Sequence, residues 1–255
     1  MKIAEKILLF FSRDPLTEDY GQDQQPQSLD KVLGNLTALF PDLSKNISDK
    51  RLIDYGCGEG YQAIALAMNG ARHVLGVDIN PKALSKGREL SREYNLEHKL
   101  QFVDTIENVN NELYDYVISI NSMEHYTDPI RVLELMKSSI KNEGHIFVSF
   151  GPPWYSPYGS HMHFFTKLPW LNIIFSEKTV MRVRSHFRDD GATKYEEVES
   201  GLNRMSIKKF ESIISDSGLK PIYSQYSCIK SLNMLGKIPF LRELFINRVT
   251  CILSK

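Results

Sequence analysis

Apolar and polar positions follow two rhythms along the chain. Five short apolar runs, "RLIDY" from Arg51, "HVLGVD" from His73, "KLQFVD" from Lys99, "YDYVISI" from Tyr114 and "HIFVSF" from His145, have the length of buried strands. Stretches of helical composition lie between them, and strands interleaved with helices predict an α/β fold with a parallel, doubly wound sheet. Ahead of the first strand, "SLDKVLGNLTALFPDL" puts Leu29, Val32, Leu33, Leu36 and Leu39 at helical spacing. After the fifth, "MSIKKFESIISDSG" predicts a helix that Ser206 caps and Gly218 ends, followed by strands at "KPIYSQYS" and "NRVTCILS".

Two segments break the rhythm. Residues 12–28 are polar and rich in Pro, Gly and Gln, which suits a loop, and residues 151–202 are rich in Pro, aromatic and basic side chains without a clean strand. This organisation predicts an N-terminal helical cap over 1–48 and a main domain over 49–255, with an insertion at about 151–202 after the fifth strand. The opening "MKIAEKILLFF" fits an amphipathic helix that rests on the fold or on a membrane surface. It stops at Ser12-Arg13-Asp14 without a small-residue cleavage site, so no signal peptide is expected.

Charge and cysteine content narrow the class. The 255 residues carry 31 basic and 31 acidic side chains, so the positive field that draws a protein to nucleic acid is missing. The three cysteines, Cys57, Cys228 and Cys251, have no CxxC spacing, which predicts reduced thiols and a cytoplasmic setting. No apolar run approaches the roughly 20 residues that span a bilayer, leaving peripheral membrane contact as the expected limit.

The candidate chemistry begins at "RLIDYGCGEGYQAIALA", which sets Gly56, Gly58 and Gly60 between a strand and a helix. Glycine there tolerates positive φ and lets the backbone approach a ligand. Asp54 stands at the strand's C-terminal end, the edge at which open α/β sheets bind ligands. Asp78 ends the next strand, where a carboxylate can accept both hydroxyls of a ribose. A dinucleotide fold wants G-x-G-x-x-G for its pyrophosphate; here the spacing is G-x-G-x-G, and Asp54 would repel a pyrophosphate but welcome an ammonium group. The loop suits a ribonucleoside that carries positive charge.

"DYGCGEG", with "GVDINPKAL", "YDYVISINSMEHYTDP" and "GHIFVSF", resembles the class I S-adenosylmethionine-dependent methyltransferase family over about residues 30–150, and more loosely over 203–255. The resemblance implies a Rossmann-like, seven-stranded, mostly parallel sheet with an antiparallel last strand, and S-adenosylmethionine as cofactor. It implies Gly56 and Gly58 under the methionine portion, Asp54 towards its amino group, Asp78 on the ribose and Ile79 beside the adenine. Asp104 would receive the adenine amino group, and Asn121 and Ser122 would border the methionine side. Glu124-His125 resembles the family's "EH", which shapes the cofactor site and the helix after it.

In-line methyl transfer needs alignment, and a hydroxyl acceptor also gains from a base. The chain leaves the fifth strand at the cofactor edge, so residues 151–165 are expected over the methyl group, and "GSHMHFF" brings His161 and His163 forward as candidate catalytic bases. Packing within the cap is the competing reading. If the segment is extended, the two histidines share a side and could jointly hold a metal; if helical, they diverge by roughly 200°. No second set of ligands accompanies them, so no metal is expected. Lys178, Arg182, Arg184 and Arg188 either form a solvated basic face or meet an acceptor's phosphate.

The reading that results is O-methylation of a small or lipid-linked polar acceptor, a sugar or glycan precursor first and a quinone-like or other metabolite as the alternative. A non-catalytic scaffold that keeps the cofactor site is the rival from another class. A nicotinamide oxidoreductase is disfavoured by the glycine spacing, and a protein amide N-methyltransferase by "NSME" in place of an NPPY-like signature.

Overall fold

The structure, a computed structural model, describes residues 2–13, 28–107, 113–198, 201–232, 234–239 and 241–255. The polar loop expected over 12–28 lies mostly outside them. Seven strands form one sheet: β1 (Arg51–Tyr55), β2 (His73–Val77), β3 (Leu100–Val103), β4 (Tyr114–Ile120), β5 (Ile140–Phe150), β6 (Lys220–Cys228) and β7 (Ile246–Ser254). Their order is β3-β2-β1-β4-β5-β7-β6. Strands β1 to β5 pair in parallel, and β7 runs antiparallel to both β5 and β6.

The inner strands are apolar throughout because both faces are covered. Leu52 joins one core while its neighbour Ile53 joins the other, and Val74 and Leu75 divide in the same way. On one face lie α2 (Leu29–Leu39), α4 (Tyr61–Met68) and α5 (Pro81–Glu93), with Leu36, Phe40 and Ile64 in the core beneath. On the other lie α6 (Pro129–Ser139) and α9 (Ile207–Ser217), where Phe210 meets Phe150. The expected ends of α9 are present: Ser206 Oγ accepts from Lys209 N, and Gly218 follows in the left-handed conformation. Chain order reverses between β1 and β4, so the crevice at their C-terminal ends is the fold's topological switch point.

The N-terminal region divides between two cores. Helix α2 packs on the sheet, with α3 (Leu43–Asn46) following, whereas α1 (Ile3–Phe10) packs on the insertion through Leu8. Leu8, Met162, Phe165, Leu171, Val180, Val183 and Tyr195 form a third, smaller core around α7 (Leu171–Ile174) and α8 (Glu177–Arg184). An ion pair, Arg182 to Glu5 at 2.9 Å, joins α8 to α1. Over 1–48 there are thus two attachments, α1 on the insertion through Leu8 and Leu9 and α2 on the sheet through Leu36. No described helix is long and apolar enough to cross a membrane.

Candidate cofactor site and acceptor cavity

Each glycine of the loop after β1 has its own reason to be there. Gly56 has φ +78°, and a Cβ on it would overlap the side chain of Ser122. Ser122 Oγ donates to the Gly56 carbonyl at 3.3 Å, and beside it Tyr126 Oη donates to the Tyr55 carbonyl at 3.0 Å. At Gly58, with φ +51°, a Cβ would meet nothing within 4 Å, so this turn of the loop faces open space. Gly60, the left-handed residue that starts α4, lies against the Phe102 ring and Gly87.

Two carboxylates flank the loop, in unlike environments. Asp54 is 1% exposed; its Oδ1 accepts from Gln62 Nε2 at 2.6 Å, and its Oδ2 is buried with no partner among the described residues. Burial pushes its pKa up to about 7, against the pull of the Gln62 hydrogen bond, and the charge of Asp78 adds to the rise. Asp78 is half-buried and uses its oxygens on backbone: Oδ2 accepts from Gly58 N and Oδ1 from Asn80 N, both at 2.8 Å. It thus ties the tip of the glycine loop to the end of β2. The next residue, Ile79, holds a bulky apolar side chain 87% exposed, and Asp104 is exposed after β3.

A cavity of about 990 Å³ opens at the switch point, the upper end of the roughly 300–1,000 Å³ usual for ligand sites. Asp54, Gly56, Gly58, Glu59 and Gln62 are among its walls, as are Val32, Asn35, Leu36 and Leu39 of α2, together with Lys86, Ile120, Asn121 and Arg248. Asn121 sits in the left-handed region, φ +54°, directly after β4, and its Oδ1 accepts from Arg248 Nη1 at 2.9 Å.

These features fit S-adenosylmethionine. The orphaned Oδ2 of Asp54 can accept an ammonium group, Gly58 leaves room above the loop, and the exposed Ile79 side chain offers an apolar plate near Asp78. Of the residues expected here, Asp54, Gly56, Gly58 and Asn121 line the cavity, Asp78 and Ser122 hydrogen-bond to its loop, and Gly60 starts α4 beside it. Ile79 and Asp104 lie at the adjoining edge of the sheet.

None of the described residues that line the cavity falls within 151–202, so His161 and His163 are not among its walls. The chain after β5 makes turns, with His161 in the left-handed region at φ +54°. His161 Nε2 donates to the Pro152 carbonyl at 3.2 Å, and its ring packs edge-on to His125. Burial lowers its pKa to about 4, and the neighbouring His125 pushes the same way. His163 is exposed and lies against Tyr158. Among the described residues no cluster of His, Cys, Asp and Glu could hold a metal ion.

Three of the basic residues singled out in the insertion make contacts within the protein, and Lys178 is exposed. Arg184 is 4% exposed and gives both terminal nitrogens to Asp190; Arg182 meets Glu5, and Arg188 lies over the Phe164 ring. What sequence reasoning missed was the cavity wall of α2, the Gln62 bond to Asp54 and Arg248. Gln62 had a signal, since the first turn of a helix after a glycine loop faces back on the strand it leaves. Arg248 had none, because a strand's alternation does not say which neighbour its first residues will meet.

Comparison with known proteins agrees with the site. Residues 27–223 match the family described as "Methyltransferase domain". A ubiquinone biosynthesis O-methyltransferase of Aliivibrio fischeri is 32% identical over 126 residues, which are 49% of this chain and 50% of that protein. The chain thus matches about half the length of this curated relative. Among solved structures, an S-adenosylmethionine-dependent methyltransferase from Mesorhizobium loti superposes with a TM-score of 0.58 at 15% identity, covering 89% of this chain and all of that one. Magnesium protoporphyrin IX methyltransferase from Synechocystis, with bound S-adenosylhomocysteine, gives 0.56 at 15% identity and covers 99% of both chains. The chain belongs to the methyltransferase-domain family, in its S-adenosylmethionine-dependent class I fold.

Proposed function

We propose that the chain methylates an oxygen of a small aromatic acceptor, of the phenolic kind that precedes a quinone. The observation that carries this reading is the continuity of one cavity from the glycine loop to an apolar wall of Val32, Leu36, Leu39 and Ile120. Such a wall suits a planar ring, and Asn35, Asn121 and Arg248 supply the polar groups that fix its orientation. A phenolic hydroxyl, with a pKa near 10, also needs less help from a base than a sugar hydroxyl, and no histidine is among the described residues of the cavity wall. The name of the Aliivibrio fischeri relative points in the same direction.

S-adenosylmethionine supplies a methyl group made electrophilic by positive sulfur. In our reading Asp54 accepts its ammonium group, Asp78 its ribose hydroxyls and Asp104 its adenine amino group, while Ile79 flanks the adenine. Gly56, Gly58 and Gly60 shape the loop beneath it, and Asn121 and Ser122 border the methionine side. Held by these residues, the cofactor would supply its methyl group to an acceptor oxygen, and the hydroxyl proton would pass to water. The protein's part is alignment of oxygen, carbon and sulfur.

A peripheral lipid contact, suited to a lipid-linked acceptor, has support in α1. Glu5 is buried against Arg182 while Ile3, Ile7 and Phe10, one face of the helix, are exposed beside Lys2 and Lys6. The acceptor reading is tested by label transfer from methyl-labelled S-adenosylmethionine to 4-methylcatechol, 3,4-dihydroxybenzoate and methyl glucoside. Labelled catechol ether supports it; label in the glucoside, or none in either catechol, overturns it.

A further inference from the structure

We infer that the acceptor is anionic, and that Arg248 receives its carboxylate at the far side of the cavity from Asp54. This deepens the methyl-transfer reading and rests on it. Strand β7 runs against β5, so its first residues come to the end where β4 and β5 finish, with Val249 opposite Phe150. Arg248 therefore stands at the cofactor edge of the sheet, with β4 and β5 between its strand and the one that carries Asp54.

Its surroundings hold the guanidinium without neutralising it. Nη1 donates to Asn121 Oδ1 at 2.9 Å and to Ser149 Oγ at 3.2 Å, both uncharged groups. No carboxylate among the described residues pairs with it. Other arginines of this chain are treated differently: Arg182, Arg184, Arg204 and Arg242 each meet an acid within 3.1 Å. Lys86, another cation of the cavity wall, is tied to Glu89 at 3.0 Å. The acid whose field reaches Arg248 is Glu124, and burial pushes that carboxyl towards its neutral form.

A half-buried guanidinium anchored at one nitrogen keeps its remaining donors for a planar, two-oxygen partner. Removing such a charge from water without an anion is costly, so a cavity that does so is arranged for a ligand that brings one. Asp54 and Glu59 give the glycine-loop side the opposite sign. A cationic cofactor group and an anionic acceptor group are thereby sorted to opposite sides.

The test uses the full chain loaded with S-adenosylhomocysteine, with benzoate and its neutral isostere benzamide as probes, followed by NMR titration. We expect benzoate to bind about tenfold more tightly than benzamide. Arg248→Gln should abolish that preference, Arg248→Lys should keep part of it, and S-adenosylhomocysteine affinity should stay within about twofold in both variants. Equal binding of the two probes by the wild type, or no binding of either, overturns the inference while leaving methyl transfer untouched. A large loss of S-adenosylhomocysteine affinity in Arg248→Gln also overturns it, because the charge then serves the cofactor's own carboxylate. Failure of the wild type to bind S-adenosylhomocysteine removes the underlying reading itself.

Discussion

Gln62 Nε2 donates to Asp54 Oδ1 over 2.6 Å, and the opposite carboxylate oxygen of Asp54 is left enclosed with no partner. The free protein thus holds a carboxyl whose pKa is pushed up to about 7, from an ordinary 3.8. Between those values the folded chain binds more protons than the unfolded one, so this group's contribution to stability falls as pH rises from about 4 to 7. Asp54→Asn should remove that slope and stabilise the free protein at pH 8 by on the order of 2–4 kcal/mol relative to wild type, while weakening cofactor binding. Urea unfolding of both proteins at pH 5 and pH 8 reads it; identical pH dependence would contradict it.

The loop glycines should separate stability from binding. Gly56→Ala drives a methyl group into Ser122 at positive φ and should destabilise the fold by about 3 kcal/mol or more. Gly58→Ala, which points into open space, should cost only about 1–2 kcal/mol, yet fill room above the loop and cut S-adenosylhomocysteine affinity. Thermal melts and calorimetric titrations of the two variants distinguish these outcomes.

His161 and His163 test where the chemistry resides. His161→Ala removes a hydrogen bond to Pro152 and an edge contact with His125, and should lower stability by about 1–2 kcal/mol. Neither it nor His163→Ala should change label transfer to a catechol by more than about threefold. A loss of about a hundredfold, the scale of a missing general base, would return these residues to the active site.

The apolar face of α1 predicts binding to vesicles of phosphatidylcholine with phosphatidylglycerol, and weaker binding to phosphatidylcholine alone, measured by co-sedimentation. Ile7→Ser with Phe10→Ser should abolish pelleting without altering S-adenosylhomocysteine affinity. Wild-type protein that stays in the supernatant would remove the lipid contact from the account.

Much of this was legible along the chain, for reasons that differ between elements. Strands β1, β2 and β4 announce themselves because burial on both faces forces apolar runs such as Leu52 and Ile53. Asp54 and Asp78 could be found because strand ends and glycine turns fix their place within a few residues. Long-range partners could not: Glu5 finds Arg182 across 177 positions, and Arg248 finds Asn121 across 127. The surroundings of the histidine pair were not legible for a local reason, since neither an extended chain nor a helix describes the turn at His161, whose backbone is left-handed.

The crevice between Asp54 and Asp78 suits S-adenosylmethionine rather than a dinucleotide. Calorimetric titration with S-adenosylhomocysteine and with NAD, on wild type and on Asp78→Ala, tests it most directly. We expect one S-adenosylhomocysteine bound per chain, no heat from NAD, and a loss of about 1–3 kcal/mol in the variant, which frees the Gly58 amide and the ribose hydroxyls together. Binding of NAD without S-adenosylhomocysteine, or equal S-adenosylhomocysteine affinity in Asp78→Ala, would contradict it.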